Sequence, residues 1–117
     1  RVASAATAVG VIRACLEQSV EYAKTRNAFG KAIGTNQAVA FACAELSVMA
    51  EAAHALTYKS AWLKDNGRPF KTDAAVAKLY ATEAAVTAVR KACLTGYEFR
   101  LAWSAEKLCS APAPATH

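Results

Sequence analysis

Residues 22–41 read YAKTRNAFGKAIGTNQAVAF and separate two long alanine-rich runs. Inside this stretch, residues 26–36 form a short basic segment with two glycines, and neither helical pattern continues through it. Thr35 or Asn36 can cap a following helix, because their side-chain oxygens accept hydrogen bonds from first-turn amides. The sequence therefore predicts two helices joined by a turn, and we call residues 26–37, RNAFGKAIGTNQ, the corner.

Apolar residues recur at helical spacing on both sides of the corner and once more towards the C-terminus. They predict helices over about residues 2–25, 36–66 and 72–95. The second of the three stripes keeps heptad spacing, which is typical of a long helix packed against antiparallel neighbours. We expect each stripe to be the packing face of its helix. In chain order the stripes are Val2, Ala5, Val9, Ile12, Leu16, Ser19 and Ala23; Val39, Ala42, Leu46, Met49, Ala53, Leu56, Ser60 and Leu63; and Ala75, Leu79, Thr82, Val86, Val89 and Cys93.

The boundary between the second and third helices is marked by residues with special backbone preferences. Gly67, directly after Asn66, suits the left-handed position that ends a helix, and Pro69 prevents the helix from resuming. Thr72 and Asp73 are the expected N-cap and first-turn charge of the third helix.

Beyond Gly96 the helical periodicity fades, and the chain finishes in SAPAPATH, rich in Pro, Ala and Thr. We expect one helical domain over residues 1–110 and a disordered tail over residues 111–117. The predicted fold class is all-α. Its architecture is an up-and-down antiparallel bundle of three long helices followed by a short or irregular C-terminal segment.

The composition agrees with a helical globular domain: 117 residues, 55% hydrophobic and 20% charged, with few Gly and Pro. The formal net charge is +5, but the 14 Lys and Arg residues are dispersed and no recognition motif accompanies them. This argues against nucleic-acid binding. No uninterrupted apolar run approaches the roughly 18 residues of a membrane span, so no span is predicted.

Residue types that carry chemistry are sparse. The four cysteines have neither CxxC nor Cys/His metal spacing, so we predict no metal site and expect reduced core thiols. The sequence has no HExxH, P-loop or Rossmann fingerprint, and no plausible Ser-His-Asp set. Glu45 and Glu83 lie among small residues where burial is possible, but solvated surface charge is the preferred interpretation. No catalytic residue is assigned.

The corner is the exception. Arg26 offers a guanidinium to an anionic group, Phe29 a ring beside it, and Gln37 an amide at a helix N-terminus that favours negative charge. Two interpretations stay open on these residues alone. The corner binds an anionic ligand, or Arg26 caps the carbonyls of its own helix and the corner is structural.

Several segments together resemble the C-terminal helical domain of the acyl-CoA dehydrogenases, over about residues 1–92. They are EYAKTRNAFGKAIGTNQAVAFACAEL and YKSAWLKDNGRPFKTDAAVAKLYATEAA. The specific elements are R-x-x-F-G with a Gln eight residues after the Phe, the helix end W-x-x-x-x-G, and A-K-x-x-A-x-E-A in the third helix.

The resemblance implies a tetrameric flavoenzyme that oxidises the Cα–Cβ bond of an acyl-CoA thioester, with FAD as hydride acceptor. It implies contacts to FAD bound on a neighbouring subunit: Arg26 to the pyrophosphate, Phe29 by packing, and Gln37 by donating a hydrogen bond. Arg1 matches an Arg close to the acyl site. A homo-oligomer, an electron-transfer partner for the complete enzyme, and a cytoplasmic or mitochondrial-matrix location are also implied.

The chain also departs from the family pattern. In most relatives the catalytic Glu lies in a final helical region, and in a minority immediately before the Arg that matches Arg1; this chain has neither. The flavin-contacting loop Gln-x-x-Gly-Gly-x-Gly is not matched from Leu94 onwards, where the sequence reads LTGYEFRLAW. We therefore expect the isolated chain to be inactive and not to retain FAD. Two alternatives stay open: a non-catalytic helical assembly module derived from this family, and one chain of a split enzyme.

Overall fold

The structure, a computed structural model, describes residues 1–25, 27–28, 30–32 and 37–110, with side chains up to Leu94 except those of residues 28, 31 and 32. Its three helices are α1 (Val2–Thr25), α2 (Gln37–Asp65) and α3 (Lys71–Ser110). Between α1 and α2, the two-residue strands β1 (Asn27–Ala28) and β2 (Lys31–Ala32) pair antiparallel. The predicted helical fold is confirmed, and the short ladder is an addition that the sequence did not predict.

The end of α2 follows the prediction. The N–H of Gly67 donates to the Lys64 carbonyl (3.1 Å), and the N–H of Arg68 donates to the Leu63 carbonyl (2.9 Å). These are the paired bonds of a Schellman motif. Gly67 has φ 65°, in the left-handed region that favours glycine, so the Asn-Gly pair does end the helix.

The start of α3 differs from the prediction. The Phe70 carbonyl accepts from the Ala74 N–H (2.8 Å), and α3 begins at Lys71. Phe70 therefore occupies the N-cap position, and the assignment of Thr72 as the cap is wrong. Asp73 does lie in the first turn, where a negative charge is favourable.

α3 is also longer than predicted. The sequence predicts an end near residue 95 and an irregular segment after it, but the helix continues through Gly96 to Ser110. A single glycine costs a helix only about 1 kcal/mol relative to alanine, and the next proline is Pro112. Residues 111–117, the expected disordered tail, lie outside the described residues.

The helices alternate in direction along the bundle. Ala23, near the end of α1, packs against Val39, near the start of α2. Glu45, also early in α2, forms an ion pair with Lys91, which lies twenty residues into α3. Since the start of α2 meets the late parts of both neighbours, α2 runs antiparallel to α1 and α3, as the up-and-down prediction requires.

Each helix packs against the other two, and the core between them is built mainly from alanine. Ile12 and Leu46 are the largest apolar side chains that are fully buried. Small side chains allow helix axes to approach closely, so the bundle is narrow. The buried alanines are Ala5, Ala8, Ala23, Ala50, Ala53, Ala74, Ala77, Ala81, Ala84 and Ala88.

The predicted packing stripes of α1 and α2 are buried or half-buried throughout, so both are confirmed. The prediction for α3 is wrong. Leu79, Val86 and Val89 are 62%, 53% and 41% exposed, and α3 instead turns its alanine face to the core. The alanine face brings the α3 backbone closer to two neighbours than a row of leucine and valine would allow.

The cysteines divide between the interior and the surface. Cys15 and Cys43 are half-buried free thiols, as predicted, whereas Cys93 is exposed because it belongs to the outward stripe of α3. The side chain of Cys109 lies outside those described.

One described helix, α2, is long and apolar enough to cross a membrane by length and composition, with a mean hydropathy of 1.4 over its best window. Core helices of soluble bundles meet the same criterion, and α2 packs against α1 and α3 along a continuous buried stripe. The absence of a membrane span stays a prediction.

Candidate functional site

The corner contains more regular structure than its sequence predicts. α1 ends at Thr25, whose hydroxyl donates to the Glu21 carbonyl (2.8 Å). β1 and β2 follow, and Gly30 in the turn between them has φ 77°. Because this conformation strains any residue with a Cβ, glycine at this position fixes a tight reversal. The strand β2 then lies against α1, which ties the corner to the bundle.

A small apolar cluster anchors the two helix ends beneath the corner. Ala23 and Val39 are buried, with Tyr22 and Cys43 packed around them. Burial raises the pKa of the Cys43 thiol above its ordinary value. At neutral pH this thiol stays protonated and is a poor nucleophile, so the cluster has a packing role rather than a chemical one.

Gln37 is the first residue of α2, and its side chain is exposed. The first turn of α2 contains no acidic residue, so the helix itself supplies no carboxylate to offset the positive end of its dipole. Phe41, one turn further on the same side, is 59% exposed. An exposed amide and an exposed aromatic ring therefore lie side by side at the positive end of a helix, which suits a ligand with an anionic group and a flat ring system.

Arg26 and Phe29, the other two predicted contacts of the corner, lie outside the described residues. Their roles stay predictions. Of the predicted set, Gln37 is the residue that the structure places, and it lies at the surface where a ligand can reach it.

Arg1 is exposed at the opposite end of the molecule. Its carbonyl accepts from the Ala5 N–H (3.0 Å) and so opens α1. The 24 residues of α1 span about 36 Å at the usual rise of about 1.5 Å per residue. Within one chain the structure does not bring Arg1 and Gln37 together.

A surface cleft at the Arg1 end was not predicted. It has a volume of about 440 Å³ and is lined by residues 67–73, the connection between α2 and α3. Lys64 lies 5.9 Å above the ring of Phe70 beside it, and Lys59 pairs with Asp73 across the connection at 3.0 Å. In the sequence this segment carries only the signals of a helix stop, which say nothing about the shape of the surface.

Glu45 and Glu83 lie at the surface, in agreement with their interpretation from sequence as solvated charges. Glu45 is 55% exposed and paired with Lys91, and Glu83 is exposed. Among the described residues, no three His, Cys, Asp or Glu side chains are grouped closely enough to hold a metal ion.

Comparison with known proteins identifies the same family that the motifs resemble. A family model for the acyl-CoA dehydrogenase C-terminal domain matches residues 1–95. Probable acyl-CoA dehydrogenase YngJ of Bacillus subtilis is 44% identical over 92 residues, which cover 79% of this chain and 24% of that protein.

Solved structures also match the fold of this chain. Butyryl-CoA dehydrogenase from Megasphaera elsdenii matches with a TM-score of 0.80 and 39% identity, covering 81% of this chain and 25% of that one. The FAD complex of PigA matches with a TM-score of 0.75 and 35% identity, covering 78% and 24%. The chain thus spans about a quarter of the length of each of these relatives.

Proposed function

The chain belongs to the acyl-CoA dehydrogenase family, in which it corresponds to the C-terminal domain, and we propose that it supplies FAD contacts and an assembly surface to the α,β-dehydrogenation of an acyl-CoA thioester. The observation that carries the cofactor part is the surface at the start of α2. There Gln37 and Phe41 are exposed side by side, on a helix with no acidic residue in its first turn. A relative of the same fold, PigA, is known as an FAD complex.

This surface fits one end of FAD in chemical terms. The pyrophosphate is anionic, and the guanidinium of Arg26 and the positive end of the α2 dipole are suited to hold it. Gln37 donates a hydrogen bond, and Phe29 packs on the cofactor. FAD, when bound, supplies hydride-accepting chemistry; the residues of this chain bind and orient it, and none of them transfers a proton.

The chain by itself is expected not to catalyse turnover. The described part of the corner is open to solvent, with Asn27, Gly30 and Gln37 all exposed. Flavin dehydrogenation requires a site closed to water and a base at the substrate α-carbon, which this surface does not supply. FAD is accordingly a cofactor of the complete enzyme and is not retained by this chain alone.

The remaining parts of the proposal follow from the family. The complete enzyme is a homo-oligomer that uses an acyl-CoA and an electron-transfer partner, without nucleic acid or a membrane span. Its location is the cytoplasm, or the mitochondrial matrix in a eukaryote. Arg1, at the other end of α1, lies close to the acyl group.

Two other candidates make different predictions. A non-catalytic assembly module keeps the bundle and the oligomer but has no affinity for FAD at the corner. One chain of a split enzyme binds FAD only when a second chain supplies the other domains.

A chimera separates these candidates. Residues 1–92 of this chain replace the matching segment of the B. subtilis relative YngJ, and flavin content and acyl-CoA oxidation with an artificial electron acceptor are measured. We expect a yellow protein. Arg26→Ala and Gln37→Ala each weaken FAD binding roughly tenfold, the usual effect of losing one charged or well-placed hydrogen bond. Gln18→Ala, an exposed amide on α1, is the matched control and leaves FAD affinity unchanged.

A chimera that folds and assembles but carries no flavin contradicts the cofactor role and favours the assembly module. The 117-residue chain is assayed in parallel with added FAD and acyl-CoA. Turnover above the buffer blank that Arg26→Ala abolishes would contradict the expected inactivity.

A further inference from the structure

Two free thiols lie on the neighbouring helices α1 and α3. These helices run parallel, because α2 is antiparallel to both of them. Cys15 on α1 is half-buried and packs against the main core cluster, to which α3 contributes buried alanines. Cys93 on α3 is exposed. Whether the two sulfurs can meet depends on their heights along the bundle and on the helix edges that they occupy.

Contacts with α2 relate the heights of α1 and α3. Ala23 of α1 packs against Val39 of α2. Glu45, six residues further along α2, pairs with Lys91 of α3. Because α1 and α2 are antiparallel, residue 17 of α1, six residues before Ala23, is level with Glu45. Residue 17 is therefore close in height to Lys91.

The two thiols lie on either side of this level. Cys15 is two residues before residue 17 on α1, and Cys93 is two residues after Lys91 on α3. Because the two helices are parallel, the heights of the thiols differ by about four residues, or about 6 Å. They are thus within about one helical turn of each other.

Cys93 also lies on the edge of α3 that meets α1. Asp73 and Lys91 are eighteen residues, or five turns, apart, and both form ion pairs with α2 from one edge of α3. Cys93 is about 200° round the helix from Lys91 and in line with Ala75. Ala75 is half-buried although it faces away from α2, and α1 is the other helix that packs against α3. α1 therefore covers this edge, with Cys93 at its rim.

The ionisation of Cys15 agrees with this placement. Burial, and then the charge of Cys93, raise the pKa of Cys15. A like charge has such an effect only at short range. Cys43 packs in the separate cluster beneath the corner, and burial alone raises its pKa. Among the thiols that the structure describes, Cys15 and Cys93 are therefore the pair that the fold brings together.

We propose that Cys15 and Cys93 form a disulfide when the chain meets a peroxide, and that this bond locks α3 onto α1. The bond lies in the half of the bundle that carries the corner, since Glu45 and Lys91 are at the same height. The thiols are free in the reduced bundle, so the pair works as a redox switch. This switch goes beyond the proposed function and uses none of the flavin contacts.

The reaction takes two steps. The exposed Cys93 thiolate attacks one oxygen of hydrogen peroxide, the O–O bond breaks, and the sulfur is oxidised to a sulfenic acid while the other oxygen is reduced to water. The Cys15 sulfur then attacks the Cys93 sulfur, the S–O bond breaks, and the hydroxyl leaves as water with the Cys15 proton. In sum, two thiols and one hydrogen peroxide give one disulfide and two waters. Excess thiol reverses the bond by exchange.

Peroxide treatment followed by mass spectrometry tests the pair. The reduced 117-residue chain is treated with hydrogen peroxide at low chain concentration, free thiols are alkylated, and the chain is digested with trypsin without reduction. We expect a linked species that joins residues 14–24 to residues 92–100 and that dithiothreitol separates. It should form on the order of tenfold faster in the folded chain than in urea, because the fold holds the two sulfurs together.

Three serine variants identify the partners. Cys93→Ser is expected to abolish the linked species, and Cys15→Ser to leave a Cys93 sulfenic acid that dimedone traps. Cys43→Ser is the matched control and keeps the linked species at the wild-type rate. Peroxide should also raise the urea midpoint of the wild type, because the bond restricts the unfolded chain, and leave the midpoint of Cys93→Ser unchanged. Cys93 is exposed, so its variant decides the question even where Cys15→Ser fails to fold.

The switch is overturned by any of three results. The folded chain gives no linked species, Cys93 is joined to another cysteine or to a second chain instead, or linkage is as fast in urea as in the folded chain.

Discussion

Leu46→Ala and Leu79→Ala make the same chemical change in two helical stripes that look equivalent in the sequence. In the structure the two leucines are opposites. Leu46 is 0% exposed and belongs to the main core cluster with Ile12, whereas Leu79 is 62% exposed on the outward-facing stripe of α3. The pair of substitutions therefore measures which face of α3 the chain uses for its own folding.

The expected difference is large. Buried Leu→Ala changes cost about 2–5 kcal/mol, and the cost is greater where the surroundings cannot collapse into the cavity. Around Leu46 the core consists largely of alanines fixed on three helix backbones, including Ala50 and Ala53, so little can move inwards. We expect a loss of about 3–4 kcal/mol, a large share of the roughly 5–15 kcal/mol that stabilises a typical domain. Leu79→Ala removes a mostly hydrated side chain and is expected to stay within about 0.5 kcal/mol of the wild type.

The measurement is urea denaturation followed by far-UV circular dichroism, at a chain concentration low enough for the monomer to dominate. An unchanged slope for each variant shows that the free energies of unfolding can be compared. Equal losses for the two variants would contradict this prediction, because they would mean that the stripe containing Leu79 is packed inside the same chain.

Two further predictions concern glycines and thiols. Gly67→Ala places a Cβ on a residue with φ 65° at the end of α2, and it is expected to lower the free energy of unfolding by about 1 kcal/mol. Gly10→Ala, inside α1 with open space around it, is expected to raise the free energy of unfolding by about 0.5–1 kcal/mol. Both are measured by urea denaturation, and shifts of the same sign would contradict the prediction. Burial, and then the neighbouring Cys93, raise the pKa of Cys15, and burial raises the pKa of Cys43. At alkaline pH the folded chain therefore keeps thiol protons that the unfolded chain loses. The stability that these protonated thiols contribute is present below the ordinary pKa of 9.0, and it falls as the pH rises above that value. Cys43→Ala should make the fall in the free energy of unfolding with pH less steep. If the free energy of unfolding of this variant falls as steeply between neutral and alkaline pH as that of the wild type, the raised pKa of Cys43 is contradicted.

The sequence predicted α1 and α2 well because each has one clear apolar row. On α2 the heptad row that includes Leu46 is buried, and the Asn-Gly pair after it forms the predicted helix end. These are local signals: the spacing decides the face, and a glycine with positive φ decides the boundary.

α3 was predicted less well because it has two apolar rows. Leu79 and Val86 carry most of its hydrophobicity, so the sequence assigns their row to the core. Close packing of three helices instead selects the alanine row, where backbones approach most closely. Which of the two rows faces the core depends on how closely the three helix backbones approach each other, and no local pattern encodes that choice.

For the site, the sequence predicted residue types and the corner, but not their arrangement. Gln37 is exposed at a helix start as its position implied, and the antiparallel ladder around Gly30 was missed because each strand has only two residues. Two residues are too few to show the alternation that identifies a strand.

The distance between the two ends of α1 decides how such a chain can take part in catalysis. Arg1 and the corner are separated by about 36 Å of helix, so one copy cannot close a single site from both ends. If both ends act, as the family membership leads us to propose, each must complete a site whose other walls come from elsewhere: other domains, or another subunit. Assembly is then a condition of function rather than an addition to it.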